Sequence, residues 1–392
     1  MWFYRDIETT FTQTNALPIK VLKGPRQVGK TSLLERLPGY QTIYFDDAAT
    51  RRLAQENPRM FFDQLPQKRL ILDEASLAPE IFPELKRRVD EHRRKKSGLP
   101  DFWITGSNQT LLQKNVRESL AGRASYFDLN TLSIHELGPA RGTLPTMMMK
   151  GGWPELHIDT AVEPKRYLND LISTFIERDI VAGAGIEKKA AFSKTIQLLA
   201  GRVGQLFNAS DIAKNVGVDV TTVQSWVLLL AEYGILRSIQ PYTSNLNQRL
   251  IKAPKWYFED VGIAVRMQGW ADYHPLLVSP AMGHLVENLA VSEVSRFLIN
   301  RGERPDISYV RSKEKVEIDL LIRLPNQRYV AAEVKTTPQD FSVEQLKLLD
   351  SLKINLVEKW ILTPDTSKPR FKNSQVIRFA EVWETLSRVW AY

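Results

Sequence analysis

Short apolar segments alternate with helical patterns through the first third of the chain. Five of these segments lie at 19–22, 42–45, 70–72, 102–105 and 126–129. Such short segments, separated by stretches of helical length, are typical of strands that are buried on both faces of a parallel sheet. The pattern therefore predicts an α/β domain with a parallel sheet over residues 1–140.

The strand pattern stops after this domain. Glycine and proline cluster between 138 and 154, and amphipathic helical patterns then fill roughly 160–235. Because such clusters interrupt regular structure, they indicate a domain boundary near 140 and a helical middle domain.

A further change of pattern comes near Ser279 and Pro280. A long helical pattern at 281–300 precedes strand-like segments at 315–324 and 328–335, and a helix is predicted at 342–353. This order predicts a C-terminal α/β domain. The predicted domains are 1–140, 141–278 and 279–392.

A phosphate-binding loop motif follows the first predicted strand. Residues 24–31 read GPRQVGKT, which fits G-x-x-x-x-G-K-[ST], and the helical pattern 30–37 begins inside it. In such loops backbone N–H groups surround phosphates, the lysine contacts the β- and γ-phosphates, and the hydroxyl binds Mg²⁺. A chance match in a glycine-containing turn is the alternative, which the strand–loop–helix context disfavours. The expected ATP-binding residues are Gly24, Pro25, Arg26, Gln27, Val28, Gly29, Lys30, Thr31 and Ser32.

Polar residues end the next strands at the same predicted edge of the sheet. Asp73 and Glu74 follow the strand 70–72, where Asp73 is expected to orient Mg²⁺ and Glu74 to polarise the attacking water. The alternative is a solvated acidic pair. Ser107 and Asn108 follow the strand 102–105 and are candidates for sensing the γ-phosphate, although either could instead cap the next helix.

Arg123 precedes the last predicted strand of this domain. Ring-forming ATPases carry an arginine finger at this location, which completes the site of a neighbouring subunit by stabilising transition-state charge. The alternative is an arginine that caps a helix or forms a structural ion pair. The first interpretation implies a homo-oligomer.

Taken together, these motifs resemble a known group of prokaryotic AAA-type P-loop ATPases. In that group the ATPase domain is joined to a C-terminal domain of unknown function that ends in a restriction-endonuclease-like module. The resemblance implies ATP binding and sets no substrate, and Asn108 departs from the group's usual small hydroxyl residue. It rests on segments 24–31, 72–74, 105–107, 120–123, 151–155, 177–179, 254–258 and Asp260.

The middle domain carries a helix–turn–helix pattern at 208–226, with Ser210 and Asp219 as expected caps. Segments 233–239 and 249–251 would add a β-hairpin around a turn at 244–247, which predicts a winged helix. The exposed residues at the start of the second helix could contact DNA, although they include no arginine or lysine and winged helices also act as packing modules. They are Thr221, Thr222, Gln224 and Ser225.

A better electrostatic candidate for DNA binding is the basic helix that contains 86–88 and 93–96, which read KRR and RRKK. Such a run is also typical of a solvated helix face.

The two predicted C-terminal strands carry an acidic pair. If their turn is centred on Asn326, Asp319 opposes Glu333 across the hairpin, and Lys335 shares the face of Glu333. The pattern Asp…Glu-x-Lys resembles the Mg²⁺ site of restriction-like nucleases, in which Glu287 and Gln345 match further helical positions. Each of these two is otherwise an exposed helix residue, and the fold is also kept as an inactive binding module.

The composition of the chain bears on its partner and on its cellular compartment. Lys and Arg number 53 against 45 Asp and Glu, giving a net charge of +8, which suits an anionic partner such as DNA. Because the chain has no cysteine and no apolar run near membrane-spanning length, we expect a cytoplasmic protein without a membrane anchor. The interpretation is a Mg²⁺-dependent ATPase that acts on DNA through its C-terminal half, with processing or cleavage of branched DNA as one form of this action. The alternative is a nucleotide-dependent regulatory switch whose C-terminal domains bind a protein partner without nuclease activity.

Overall fold

A computed structural model of the chain describes residues 2–13, 17–96, 98, 100–106, 112, 116, 118–243 and 253–391, with the backbone alone at 12, 13 and 177–179. The strands are β1 Ile19–Lys23, β2 Gln41–Tyr44, β3 Arg69–Asp73, β4 Asp101–Thr105, β5 Ala124–Asp128, β6 Leu236–Pro241, β7 Lys255–Phe258, β8 Ile307–Arg311, β9 Glu317–Leu324, β10 Arg328–Val334, β11 Asn355–Thr363 and β12 Gln375–Arg378.

Helices connect these strands. The α-helices are Glu8–Gln13, Lys30–Leu34, Ala48–Glu56, Pro58–Asp63, Ile81–Lys95, Ile134–Leu137, Leu144–Lys150, Glu155–Ile158, Pro164–Leu171, Val181–Gly183, Lys189–Gly201, Ala209–Val216, Val220–Glu232, Val261–Met267, Tyr273–Leu277, Ala281–Asn300, Val343–Ser351 and Val382–Ala391. A π-helical segment spans Ile172–Ile180, and 3₁₀ turns span Ala75–Leu77, Pro325–Gln327 and Phe379–Glu381.

The first sheet has five parallel strands in the order β2-β3-β4-β1-β5, so the predicted parallel sheet is confirmed. Its central strands are apolar because helices cover both faces; Ile19 and Val21 are fully buried. The helix after β1 ends at Leu34 rather than at the expected Leu37. Pro38 comes directly after Leu37, and the helical conformation is disfavoured at a residue that precedes proline. The chain from Glu35 to Leu37 therefore forms a tighter turn, in which the Leu37 amide donates to the carbonyl oxygen of Leu34.

The helix–turn–helix of the middle segment is present as Ala209–Val216 and Val220–Glu232, joined by Gly217 in the left-handed conformation. The prediction that Ser210 caps the first of these helices is wrong, since the side chain of Asn208 accepts the capping hydrogen bond from the Asp211 amide. Asn208 precedes the first helical residue, which is the position from which a side chain reaches the free amides.

The predicted hairpin falls largely outside the described residues. Strand β6 pairs antiparallel with β7, Lys255–Phe258. The segment 249–251 and the predicted turn 244–247 lie outside the described residues, so their part of the winged helix stays a prediction.

The second sheet has seven strands in the order β12-β11-β10-β9-β8-β6-β7. It combines the predicted C-terminal strands with β6 and β7, because Gln240 and Pro241 pair in parallel with Ser308 and Tyr309 of β8. The long helix Ala281–Asn300 begins and ends as predicted and is buried on most sides. A continuous apolar core runs from the first domain through this helix to the C-terminus.

Candidate functional site

The loop between β1 and the helix Lys30–Leu34 needs glycine at two positions. Gly24 has φ 145°, and a Cβ there would stand 2.0 Å from the carbonyl oxygen of Leu129. Gly29 has φ 90°, which is favourable only for glycine. The two glycines of the motif are therefore required by the path of the loop.

Lys30 points into this loop. Its Nζ donates to the carbonyl oxygens of Gly24 at 3.0 Å and Pro25 at 2.7 Å, and the residue is 8% exposed. Burial lowers the pKa of the Lys30 ammonium to about 8, although the nearby carboxylates of Glu74 and Asp73 oppose this shift. The ammonium of Lys30 is thus held inside the loop by two backbone carbonyl oxygens.

Thr31 and Asp73 meet at the carboxyl edge of the sheet. The Thr31 hydroxyl donates to Asp73 Oδ1 at 2.8 Å, and burial raises the pKa of Asp73. These two oxygen ligands are of the kind that Mg²⁺ prefers, and they already lie together. Glu74 follows with φ 52°, a left-handed conformation that is uncommon for glutamate and that turns the chain sharply after β3.

Several residues that the motifs do not include support the loop. Arg5 donates to the carbonyl oxygens of Val28 at 3.0 Å and Asn130 at 2.6 Å. From the middle segment, Tyr167 OH donates to Gln27 Oε1 at 2.8 Å. No local spacing in the sequence predicts Arg5, because its partners are distant along the chain.

The proposed sensor residues Ser107 and Asn108 lie outside the described residues. The described end of β4 is buried at Thr105, beside the end of β3. Any contribution of Asn108 to the site therefore stays a prediction.

Arg123 lies at the opposite end of the sheet from the phosphate loop. Its carbonyl oxygen accepts from the amide of Ile19, at the start of β1, whereas the loop follows Lys23. At about 3.3 Å per residue, roughly 13 Å of strand separates the two ends. The guanidinium forms a bidentate ion pair with Asp90, at 2.8 and 2.9 Å. Arg123 thus reaches Asp90 of its own chain and not the phosphate loop.

The basic helix Ile81–Lys95 is partly neutralised by its own acids. Arg87 pairs with Glu84 and Glu91, Arg88 pairs with Glu84, and Lys95 pairs with Glu91. The basic residues 93–96 are exposed at its end. On the helix Val220–Glu232, the positions Thr221, Gln224 and Ser225 are exposed and Thr222 is half-buried.

The predicted hairpin register of β9 and β10 is confirmed, since Leu320 opposes Ala332. One position further along, the amide of Asp319 donates to Glu333 Oε1 at 3.2 Å. The amide of Val334 donates to Asp319 Oδ2 at 2.8 Å. The two carboxyl groups therefore lie on one side of the hairpin.

The other predicted C-terminal residues surround this pair. Lys335 Nζ donates to Glu333 Oε2 at 2.9 Å, and Gln345 donates to the carbonyl oxygen of Glu317 at 2.9 Å. Burial raises the pKa of Asp319 well above its ordinary value, and repulsion from the carboxylates of Glu333 and Glu287 adds to this shift.

Glu287 is buried in the same region, and its carboxylate is held by two side chains that the sequence pattern did not predict as its partners. Its Oε1 accepts from Tyr257 OH at 2.6 Å and lies 3.1 Å from Lys255 Nζ. Lys255 also pairs with Glu317 at 2.5 Å. Because β7 joins this sheet through contacts distant in sequence, the pattern of the C-terminal domain gave no signal for Lys255. Among the described residues, no group of three or more His, Asp or Glu side chains is arranged to hold one metal ion.

Family models match successive parts of the chain. A model described as "AAA domain" matches residues 17–138, the segment that holds the loop, Asp73 and Glu74. Models described as "Domain of unknown function (DUF8612)" and "Domain of unknown function (DUF4143)" match residues 141–274 and 282–382.

Two mycobacterial proteins are similar over most of the chain. These are the uncharacterized proteins Mb2031c of Mycobacterium bovis and Rv2008c of Mycobacterium tuberculosis, each 30% identical over 328 residues, which is 82% of this chain and 70% of the relative. The chain belongs to their family. Its AAA domain, with the loop geometry described above, makes it an AAA-type ATPase.

Similarity of this AAA-type ATPase to solved structures is low. A Thermotoga maritima RuvB variant has a TM-score of 0.26 and 16% identity, covering 59% of this chain and 85% of that one. The Aeropyrum pernix ORC1 protein in complex with DNA has a TM-score of 0.25 and 13% identity, covering 68% and 92%. Scores at this level do not define the arrangement of the present domains. Within the described part of the chain, no helix has the length and apolar character needed to cross a bilayer.

Proposed function

We propose that the protein is a Mg²⁺-dependent ATP hydrolase. The observation that carries the proposal is the hydrogen bond between Thr31 and Asp73, 2.8 Å long, beside the buried ammonium of Lys30. In this proposal the loop 24–32 holds the phosphates, Lys30 binds the β- and γ-phosphates, and Thr31 and Asp73 hold Mg²⁺. Bound Mg²⁺ neutralises charge that develops on the phosphate oxygens.

Glu74 and Asn108 complete the proposed chemistry. Glu74 follows Asp73 directly, and its charge acts on the buried Lys30, so its carboxylate lies within electrostatic range of the loop. We assign it the role of orienting and polarising the attacking water. Asn108 is proposed as the group that senses the γ-phosphate.

Nucleotide binding tests the first part of the proposal. Lys30→Ala removes the buried cation and should abolish binding of a fluorescent ATP analogue. Lys68→Ala removes an exposed lysine from the same domain and should bind like the wild type. Equal binding by all three proteins would contradict the assignment of the loop.

We further propose that nucleotide state is passed to the rest of the chain through contacts of the loop. A Cβ at Gly234 would lie 3.3 Å from the ring of Pro25, so the middle segment packs closely against the loop. Tyr167 adds a hydrogen bond to Gln27. A shift of the loop on binding phosphate would therefore displace the two parts of the middle segment that contact it, at Tyr167 and at Gly234.

DNA is the proposed partner of this ATPase. The net charge of +8 and the exposed basic residues 93–96 favour a polyanion. ATP hydrolysis should be stimulated by single-stranded, duplex or branched DNA and the stimulation should fall steeply with salt. Replacing Arg93 and Arg94 together by glutamate should remove it. This proposal does not include cleavage of that DNA.

A protein partner is the second candidate. The exposed face of the helix Val220–Glu232 carries Thr221, Gln224 and Leu228, and Leu228 is 61% exposed. A helix face with no basic residue and an exposed leucine suits a protein surface better than a phosphate backbone. ATP hydrolysis that responds to none of the DNA forms at low salt would favour this nucleotide-dependent switch.

A further inference from the structure

The C-terminal acidic cluster comprises Glu287, Glu317, Asp319 and Glu333. Restriction-like nucleases hold a divalent metal between carboxylates of this kind. A metal ion would need carboxylate oxygens that donors of this chain do not already hold.

Two of the carboxylates are bound to Lys255. Its ammonium lies 3.1 Å from Glu287 Oε1 and 2.5 Å from Glu317 Oε1, and the residue is 2% exposed. The second oxygen of Glu317 pairs with Arg311 at 2.8 Å. Glu287 Oε1 also accepts from Tyr257. A buried ammonium therefore bridges two acidic groups that come from different elements.

The other two carboxylates are bound by the hairpin itself. Glu333 accepts from the Asp319 amide and from Lys335, and Asp319 accepts from the Val334 amide. The resemblance to nucleases would give Lys335 the role of activating water. In this structure its ammonium is instead paired with the carboxylate of Glu333. All four acids use donors of this chain.

Charge balance leads to the same conclusion. Lys255, Lys335 and Arg311 provide three cations for the four acids. Burial raises the pKa of Asp319 well above its ordinary value and also raises the pKa of Glu333, so the cluster carries fewer than four full negative charges. The cluster thus reaches near-neutrality without a divalent ion. Since unpaired buried charge is costly, a metal could enter only by displacing the internal partners of the carboxylates that bind it.

We infer that Lys255 is the resident cation of this cluster and that the C-terminal module is a metal-independent, ion-paired element rather than a Mg²⁺-dependent nuclease. This inference does not rest on the proposed ATPase activity. It predicts that the acids do not bind Mg²⁺ or Mn²⁺ while Lys255 is present, and that the cluster loses stability when Lys255 is removed.

Metal binding to the full-length protein tests the first half. An Asp73→Asn background removes the metal ligand of the AAA domain, and Mn²⁺ binding is then followed by electron paramagnetic resonance without nucleotide. Asp73→Asn and the double variant Asp73→Asn with Asp319→Asn should bind Mn²⁺ identically. Loss of one Mn²⁺ in the double variant would overturn the inference, because the acids would then form a metal site.

Thermal unfolding tests the second half. Lys255→Met should lower the midpoint by about 5–10 °C, since it leaves the buried carboxylate of Glu287 without its cation and leaves Glu317 with Arg311 alone. Adding Glu287→Gln should restore part of this loss by removing the unpaired buried charge. A Lys255→Met protein as stable as the wild type would contradict the inference. If Lys255→Met does not fold at all, the Mn²⁺ comparison in the presence of Lys255 still decides the question.

Discussion

At the residue scale, Lys30 connects burial to the pH dependence of nucleotide binding. Its pKa of about 8 in the nucleotide-free loop lies below the ordinary lysine value because of burial. Bound phosphates favour the charged ammonium, so binding ATP raises this pKa again. Affinity should therefore be highest below about pH 8 and fall as the pH rises above it, where binding must take up a proton.

Calorimetry in buffers of different ionisation enthalpy measures this proton uptake. The binding heat should depend on the buffer at pH 8.5 and hardly at all at pH 7. Glu80→Gln, which changes an exposed carboxylate of the same domain, should behave like the wild type. An ATP affinity that stays constant from pH 7 to 9.5 would refute the account of Lys30.

At the element scale, Arg123 lies just before β5, at the end of the sheet opposite the phosphate loop. It therefore cannot reach the nucleotide site of its own subunit. A role across a subunit boundary remains our proposal, in which Arg123 leaves Asp90 to complete a neighbour's site. Arg123→Ala and Lys30→Ala should each be inactive, and their mixture should regain part of the ATPase activity. One variant then supplies an intact arginine and the other an intact loop.

Asp90 provides the matched control. If Arg123 serves only as its ion-pair partner, Asp90→Asn should reduce activity as much as Arg123→Ala does. If Arg123 acts on a neighbour, Asp90→Asn should keep most of the activity. Co-assembled inactive variants that stay inactive together would rule out the trans role.

The elements of the sheets were predictable because they depend on local patterns. The five strands of the first sheet and the register of the hairpin at Asn326 follow from apolar runs and residue spacing. The pairing of β6 with β7 and β8 was not predictable, since nothing in the local sequence encodes a partner so far along the chain. Lys255 was missed for this reason: its chemistry depends on the sheet to which β7 belongs.

At the scale of the whole molecule, Arg296 joins the AAA domain to the long C-terminal helix. The residue is 1% exposed, and its guanidinium donates to Thr131 Oγ1 at 2.6 Å, to Glu293 at 2.6 Å and to the carbonyl oxygen of Glu259 at 2.8 Å. Glu293 in turn accepts from the amide of Ile134. This network is buried between segments that the sequence treats as separate domains.

Arg296→Met should destabilise the protein by about 3–5 kcal/mol, because it leaves Glu293 buried without its cation. Denaturant unfolding measures the loss. Arg301→Met, at the exposed end of the same helix, is the control and should cost much less. Equal stability of the two variants would show that the network does not hold the domains together.

The central claim, that this AAA-type ATPase hydrolyses ATP at the loop–Asp73–Glu74 site, is tested most directly by the turnover rate of Glu74→Gln with Mg²⁺, compared with the wild type and Glu80→Gln. The account predicts that Glu74→Gln binds ATP normally but hydrolyses it more slowly by a factor on the order of 10² or more, because water positioning is lost. Glu80→Gln should keep the wild-type rate. Wild-type turnover by Glu74→Gln, or a wild-type protein that hydrolyses no ATP with Mg²⁺ present, would contradict the account.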